Sequence, residues 1–103
     1  MIDFAFATHA EILQALGARL REQRLAQGLK QAELAAMAGV ALGTVKKLEH
    51  SGVSSFETVV RVVQALGLTD QLQGLFQLPR QSIAQMAQAE QAQRKRAPRS
   101  KSE

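Results

Sequence analysis

Cysteine, tryptophan and tyrosine are missing from this 103-residue chain, and proline occurs only twice. Without cysteine there are no disulfides and no thiolate metal sites, which fits a reducing cytoplasm. The two histidines, His9 and His50, lie far apart in sequence at expected helix ends. That inventory holds neither a metal-ligand cluster nor a nucleophile with a base, so we expect no metal, no cofactor and no enzyme activity. No phosphate-cradling glycine loop is present either, since Gly28, Gly39 and Gly43 are each accounted for by caps or turns. No apolar run approaches the ~20 residues of a membrane-spanning helix. The opening, MIDFAFATHAEIL, carries Asp3 and no basic residue, so it is not expected to direct export.

Aromatic residues make up 4% of the chain, all phenylalanine, while 46% of residues are hydrophobic. A core of Leu, Val, Ala and a few Phe suits packed helices better than a β-sandwich. The length allows one small domain. Its net charge of +4 is unevenly spread. Of the 13 bases and 9 acids, residues 94–103 hold five bases and one acid, leaving eight of each in residues 1–93. The body is therefore neutral and the tail carries the excess. A high isoelectric point alone says little about the body; what matters is where its charges fall.

Residues 31–48, QAELAAMAGVALGTVKKL, are the most informative segment. Gln31–Ala38 reads as one helix with Leu34 and Ala38 apolar and Glu33 outward. Gly39 breaks it where a turn needs positive φ, which glycine adopts without steric cost. Val40 plugs the corner. Helical spacing resumes over 42–48, with Val45 and Leu48 inward. Ala35 stands where only a small side chain allows the two helices to approach. Two helices joined by a short glycine-containing turn make a helix-turn-helix.

Around that motif the chain divides into four parts: 1–8, 9–78, 79–93 and 94–103. Ile2, Phe4 and Phe6 alternate with Asp3, Ala5 and Ala7, which reads as a short strand or an extended arm. A strand needs a partner, either its own copy across a dimer axis or none, in which case Phe4 and Phe6 pack over the bundle; we favour the latter. Thr8-His9-Ala10-Glu11 has capping-box spacing for a first helix running to Gln27, with Ile12, Leu13, Leu16, Leu20 and Leu25 as its apolar stripe. Gly28 stops it. Ser54-Ser55-Phe56-Glu57 offers a second capping box, opening a helix through Leu66 that turns Val59, Val60, Val62, Val63 and Leu66 inward. Thr69 caps a fifth short helix over 70–77. Beyond Pro79, residues 82–93 form a marginal helical extension with few apolar anchors. Residues 94–103, RKRAPRSKSE, read as a disordered basic tail.

The ordered set over residues 16–78 resembles the lambda-repressor-like, or xenobiotic-response-element (XRE), helix-turn-helix family. The matching features are an Arg-rich first helix, Gly28-Leu29, Gln31, Glu33-Leu34-Ala35, Gly39-Val40, Val45, Leu48-Glu49 and Gly52. Phe56-Glu57-Thr58 and Ala65-Leu66-Gly67 extend it. The resemblance implies an all-α, five-helix fold with an N-terminal arm and a basic C-terminal tail. It also implies that Gln31 binds a DNA phosphate and braces the recognition helix, as free N–H groups at a helix start favour an anion. Arg24 and Glu49 match a family pair that bridges the first helix to the end of the recognition helix, a structural role. Leu42, Gly43, Thr44, Lys46 and Lys47 fall at the DNA-facing positions.

Three departures bear on the chemistry. Lys30 stands where Ser or Thr is usual, losing a capping hydroxyl and adding a charge within reach of phosphate. Ala41 likewise replaces a capping hydroxyl. Leu42-Gly43 replace polar base readers and offer no side-chain hydrogen bond, though Leu42 is of a kind to touch a thymine methyl. Base-specific contacts are thus expected to be sparse, with Lys46 and Lys47 supplying charge. Arg19, Arg21 and Arg61 read as exposed charges without a special role.

The leading expectation is a cytoplasmic, nucleoid-associated repressor that binds double-stranded DNA as a homodimer. Two half-sites roughly 34 Å apart would supply the specificity one helix lacks. Phe4, Phe6, Leu72, Leu75 and Phe76 are the candidate dimer residues. By size and layout the chain also resembles the antitoxins of high-persistence-type modules, which implies a kinase-fold toxin protein as a second partner. A module making only protein contacts is a third reading.

Overall fold

The computed structural model describes residues 2–79, 87–88 and 90–92. Four α-helices make up its body: α1 (His9–Ala26), α2 (Gln31–Ala38), α3 (Leu42–Ser51) and α4 (Phe56–Ala65). A short 3-10 helix precedes them at Phe4–Phe6 and another follows at Thr69–Leu72. The C-terminal one is the fifth helix of the expected all-α arrangement. Among the described residues there is no strand.

Each helix start has a local cause. At α1 the Thr8 hydroxyl accepts from the Glu11 N–H at 3.1 Å, and the Glu11 carboxylate accepts from the Thr8 N–H at 2.9 Å. This is the reciprocal capping box expected from the sequence. At α4 the cap is Ser55, whose hydroxyl accepts from the Thr58 N–H at 3.1 Å. The expected box on Ser54 and Glu57 is therefore not formed: the cap falls one residue later, on Ser55 alone. Glu57 instead accepts from Arg61 one turn on, at 3.0 Å.

The turn between α2 and α3 forms as expected. Gly39 has φ of 71°, and the Val40 N–H reaches back to the Ala35 carbonyl at 3.0 Å. The inward residues then meet. Leu34, Val45 and Val62 are fully buried, one from each of α2, α3 and α4, with Ala35, Ala38, Leu48 and Leu66 around them. Each large side chain so buried contributes about 1.5–3 kcal/mol. The alanines keep α2 thin enough to pack against α3 and α4 at once.

The first helix is attached differently. Of its expected apolar stripe, Ile12, Leu13 and Leu20 are half-buried, while Leu16 and Leu25 are exposed. The fully buried positions on α1 are Gly17 and Arg24. A methyl group at Gly17 would collide with the Leu48 carbonyl oxygen and lie 3.1 Å from the Gly52 nitrogen. Gly52, with φ of 77°, ends α3, and a Cβ there would run into the backbone of Leu13. The α1–α3 contact is thus backbone against backbone, made possible by two glycines.

Two expectations at the ends are corrected. Residues 2–7 are not a strand: the Asp3 carboxylate accepts from the Ala5 N–H at 2.9 Å, and the Phe6 N–H bonds the Asp3 carbonyl at 3.0 Å. With no second strand to pair with, the local cap decides the conformation. Phe4 is half-buried with the Arg19 guanidinium 5.0 Å from its ring centre, whereas Phe6 is 88% exposed. The packing reading therefore holds for Phe4 alone. At the other end, regular helix does not continue over 70–77. The 3-10 turn begins after Leu68, Thr69 does not cap it, and Phe76 takes a left-handed φ of 61°. Gly74 weakens helix propagation there. The expected extension over 79–93 lies mostly, and the basic tail over 94–103 wholly, outside the described residues.

Because the close approach is steric, Gly17→Ala is expected to cost about 1–3 kcal/mol. Gly52→Ala should cost more, since the strained φ adds about 1–2 kcal/mol. Thermal unfolding followed by circular dichroism checks the order; equal melting temperatures for wild type and Gly17→Ala would contradict the contact.

Candidate nucleic-acid interface

The second helix of the motif, α3, has two distinct sides. Val45, Leu48 and Glu49 are buried, while Gly43, Lys46, Lys47 and His50 are exposed. Their spacing places these four on one outward face. Leu42 is exposed in the first turn and Thr44 is half-buried beside it. Neither Lys46 nor Lys47 has an ion-pair partner among the described residues, whereas Arg24 is paired to Glu49 and Arg61 to Glu57. The first N–H groups of α3 receive no cap, because Ala41 has no side-chain oxygen. The face therefore presents two free ammonium groups and the positive end of a helix dipole.

What holds α3 in place is a buried polar node at its far end. Arg24 donates from Nε to Glu49 Oε2 at 2.7 Å and from Nη2 to Oε1 at 3.0 Å, a bidentate pair. Its Nη1 donates to the Leu29 carbonyl at 2.7 Å. Gln31 Nε2 adds a third bond to Glu49 Oε1 at 3.0 Å. The amide must point this way, since an ionised carboxylate only accepts. One carboxylate thus joins the end of α1, the loop after it, the start of α2 and the end of α3.

Both charges are nearly sealed from water, with side-chain exposures of 7% and 3%. Burial pushes the Glu49 carboxyl up, but hydrogen bonds from Arg24 and Gln31 and the charges of Arg24 and Arg21 outweigh it, so the net shift is downward. The hydrogen bond to Glu49 raises Arg24 above its ordinary value. Such a pair fixes orientation more than it adds net stability, but removing one partner strands a buried charge.

A helix-turn-helix family model matches residues 20–73, just over half of the chain. The chain belongs to the lambda-repressor-like (XRE) helix-turn-helix family. At that level it is a DNA-binding regulator, and α2 and α3 are the two helices of its motif. No curated protein matches the chain. No described helix is long and apolar enough to cross a membrane.

The remaining expected residues fall as follows. Lys30 is the residue before α2; its N–H donates to Glu33 Oε1 at 2.7 Å and its side chain is exposed. Gln31 is half-buried and engaged with Glu49, so it braces α3 directly. The candidate dimer residues are scattered: Leu72 is half-buried, Leu75 exposed and Phe76 85% exposed, far in sequence from Phe4 and Phe6. Sequence reasoning missed Gly17, although a lone glycine inside a strong helix pattern signals a packing cause. It also missed the Leu29 carbonyl as an Arg24 partner and the bond from Gln27 Nε2 to the Leu66 carbonyl at 2.7 Å. Backbone acceptors leave no mark in side-chain pattern.

The lowered Glu49 value fixes a sign. Its contribution is present above the ordinary glutamate value of about 4.3 and is lost as pH falls through the lower folded-state value. Glu49→Gln is expected to cost about 3 kcal/mol at neutral pH. The gap from wild type should shrink toward pH 3, as read by urea unfolding at each pH. A gap independent of pH would place the stabilising charge elsewhere.

Proposed function

We propose that this chain is a sequence-selective repressor that acts as a homodimer, laying α3 of each copy in the major groove. The observation that carries this is the exposed face of α3, with Lys46 and Lys47 unpaired while two arginines of the body are paired. Lysines left free on a recognition helix, in a body whose charges balance overall, are available for phosphate oxygens or for guanine O6 and N7. Lys30, at the start of α2, is exposed and serves a flanking phosphate. Gln31 supports the same contact by holding α3 through Glu49, and Thr44 lies at the edge of the face.

Homodimer formation is supported by apolar surface at the C-terminal end. Leu75, Phe76 and Leu78 are all exposed, the last two by more than four-fifths. Phe76 also holds a left-handed backbone, which costs about 1–2 kcal/mol for a residue with a side chain. A second copy covering this segment accounts for the exposed apolar side chains. Pairing of two recognition helices then gives the half-site repeat that a single helix cannot read.

Replacing Lys46 and Lys47 together with Ala tests the reading. Affinity for duplex DNA is expected to fall at least tenfold near physiological salt, and the slope of log K against log[salt] to drop by about 2, with an unchanged melting temperature. Unaltered affinity would remove α3 from the interface. Deleting residues 94–103 is expected to lower that slope further, by up to about 4, while leaving the selected sequence unchanged. A slope that stays put would assign the tail another role.

A further inference from the structure

The opening turn of α3 carries an apolar side chain that the fold leaves partly uncovered. Leu42 is 39% exposed and is not among the partly buried hydrophobic residues that pack against the core. Its neighbour Gly43 is exposed, and a Cβ there would meet nothing within 4 Å. Leu42 stands one helical turn before Lys46, at the edge of the outward face. The part of Leu42 that faces water gains nothing there from the domain, and Ala41 supplies no side-chain cap.

At a groove, such a side chain gains only from an apolar surface. The major groove offers one on the base edges: the C5-methyl group, carried by thymine and by 5-methylcytosine. Gly43 beside it removes a Cβ that would hold the helix back. Leu42 and Gly43 make no side-chain hydrogen bond, so this turn discriminates by methyl contact and close approach, not by the donor–acceptor pattern.

We infer that Leu42 reads a C5-methyl group in the major groove and sets the base preference at one position of each half-site. This rests on the proposed docking of α3.

The test begins with selection of random-sequence thymine-containing duplexes by the full chain. Each thymine of the selected site is then replaced by uracil, which removes the methyl and nothing else. At one thymine per half-site, binding is expected to weaken about fourfold, the equivalent of ~0.8 kcal/mol for one methylene-sized group. Leu42→Ala, at a position outside the buried core, is expected to bind the thymine and uracil duplexes equally. Placing cytosine and then 5-methylcytosine at that position separates the two sources. A gain on methylation shows that the methyl is read on either base; a gain confined to thymine limits the source to thymine. Uracil without effect at every position overturns the inference, as does a Leu42→Ala protein that keeps the thymine preference. Both results leave the docking of α3 standing. Selection of no duplex overturns the docking and the methyl reading together.

Discussion

The node that joins Arg24, Glu49 and Gln31 is the constraint on which the rest depends. One buried carboxylate accepts three hydrogen bonds from residues on α1 and α2, while itself belonging to α3. An apolar core alone would hold these helices near one another but would tolerate small rotations. A bidentate pair with a further amide bond does not, because each donor has one direction. The outward face of α3 is therefore oriented from behind. Arg24 also ties the Leu29 carbonyl, so the loop entering α2 is fixed by the same side chain.

The node works together with the glycine contact. Gly17 and Gly52 let α1 approach α3 at backbone distance, which brings Arg24, two turns further along α1, level with Glu49. Leu34, Val45 and Val62 join α3 to α2 and α4 in one apolar core. Helix α3 is thus held by a steric contact, a polar node and an apolar core. Its outward face is left free, and its side chains contribute little to the fold. That division explains how Leu42 and Gly43 can replace common polar readers at little cost to the domain.

Much of this was legible in the sequence where the cause is local. The Thr8–Glu11 box, the Gly39 turn and the inward Val45 and Leu48 each follow from a few neighbouring residues, and the family resemblance named Arg24 and Glu49. What was not legible depends on neighbours remote in sequence. The apolar stripe of α1 placed Leu16 inward, whereas Gly17 takes the buried position because Leu48 and Gly52 lie against it. Alternation over residues 2–7 pointed to a strand, but a period of two over so few residues does not outweigh an Asp3 cap. The fifth helix was drawn through Gly74 and Phe76, and the backbone turns there instead.

The central claim is that the outward face of α3 meets DNA while the node behind it stays intact. Titrating a nitrogen-labelled sample of the chain with duplex DNA, and following amide chemical shifts residue by residue, tests that claim most directly. The account predicts the largest shifts at Lys30, Gln31 and the first two turns of α3, with Glu49 and the core little changed. Shifts centred on Phe76 and Leu78, or none at α3, would contradict it.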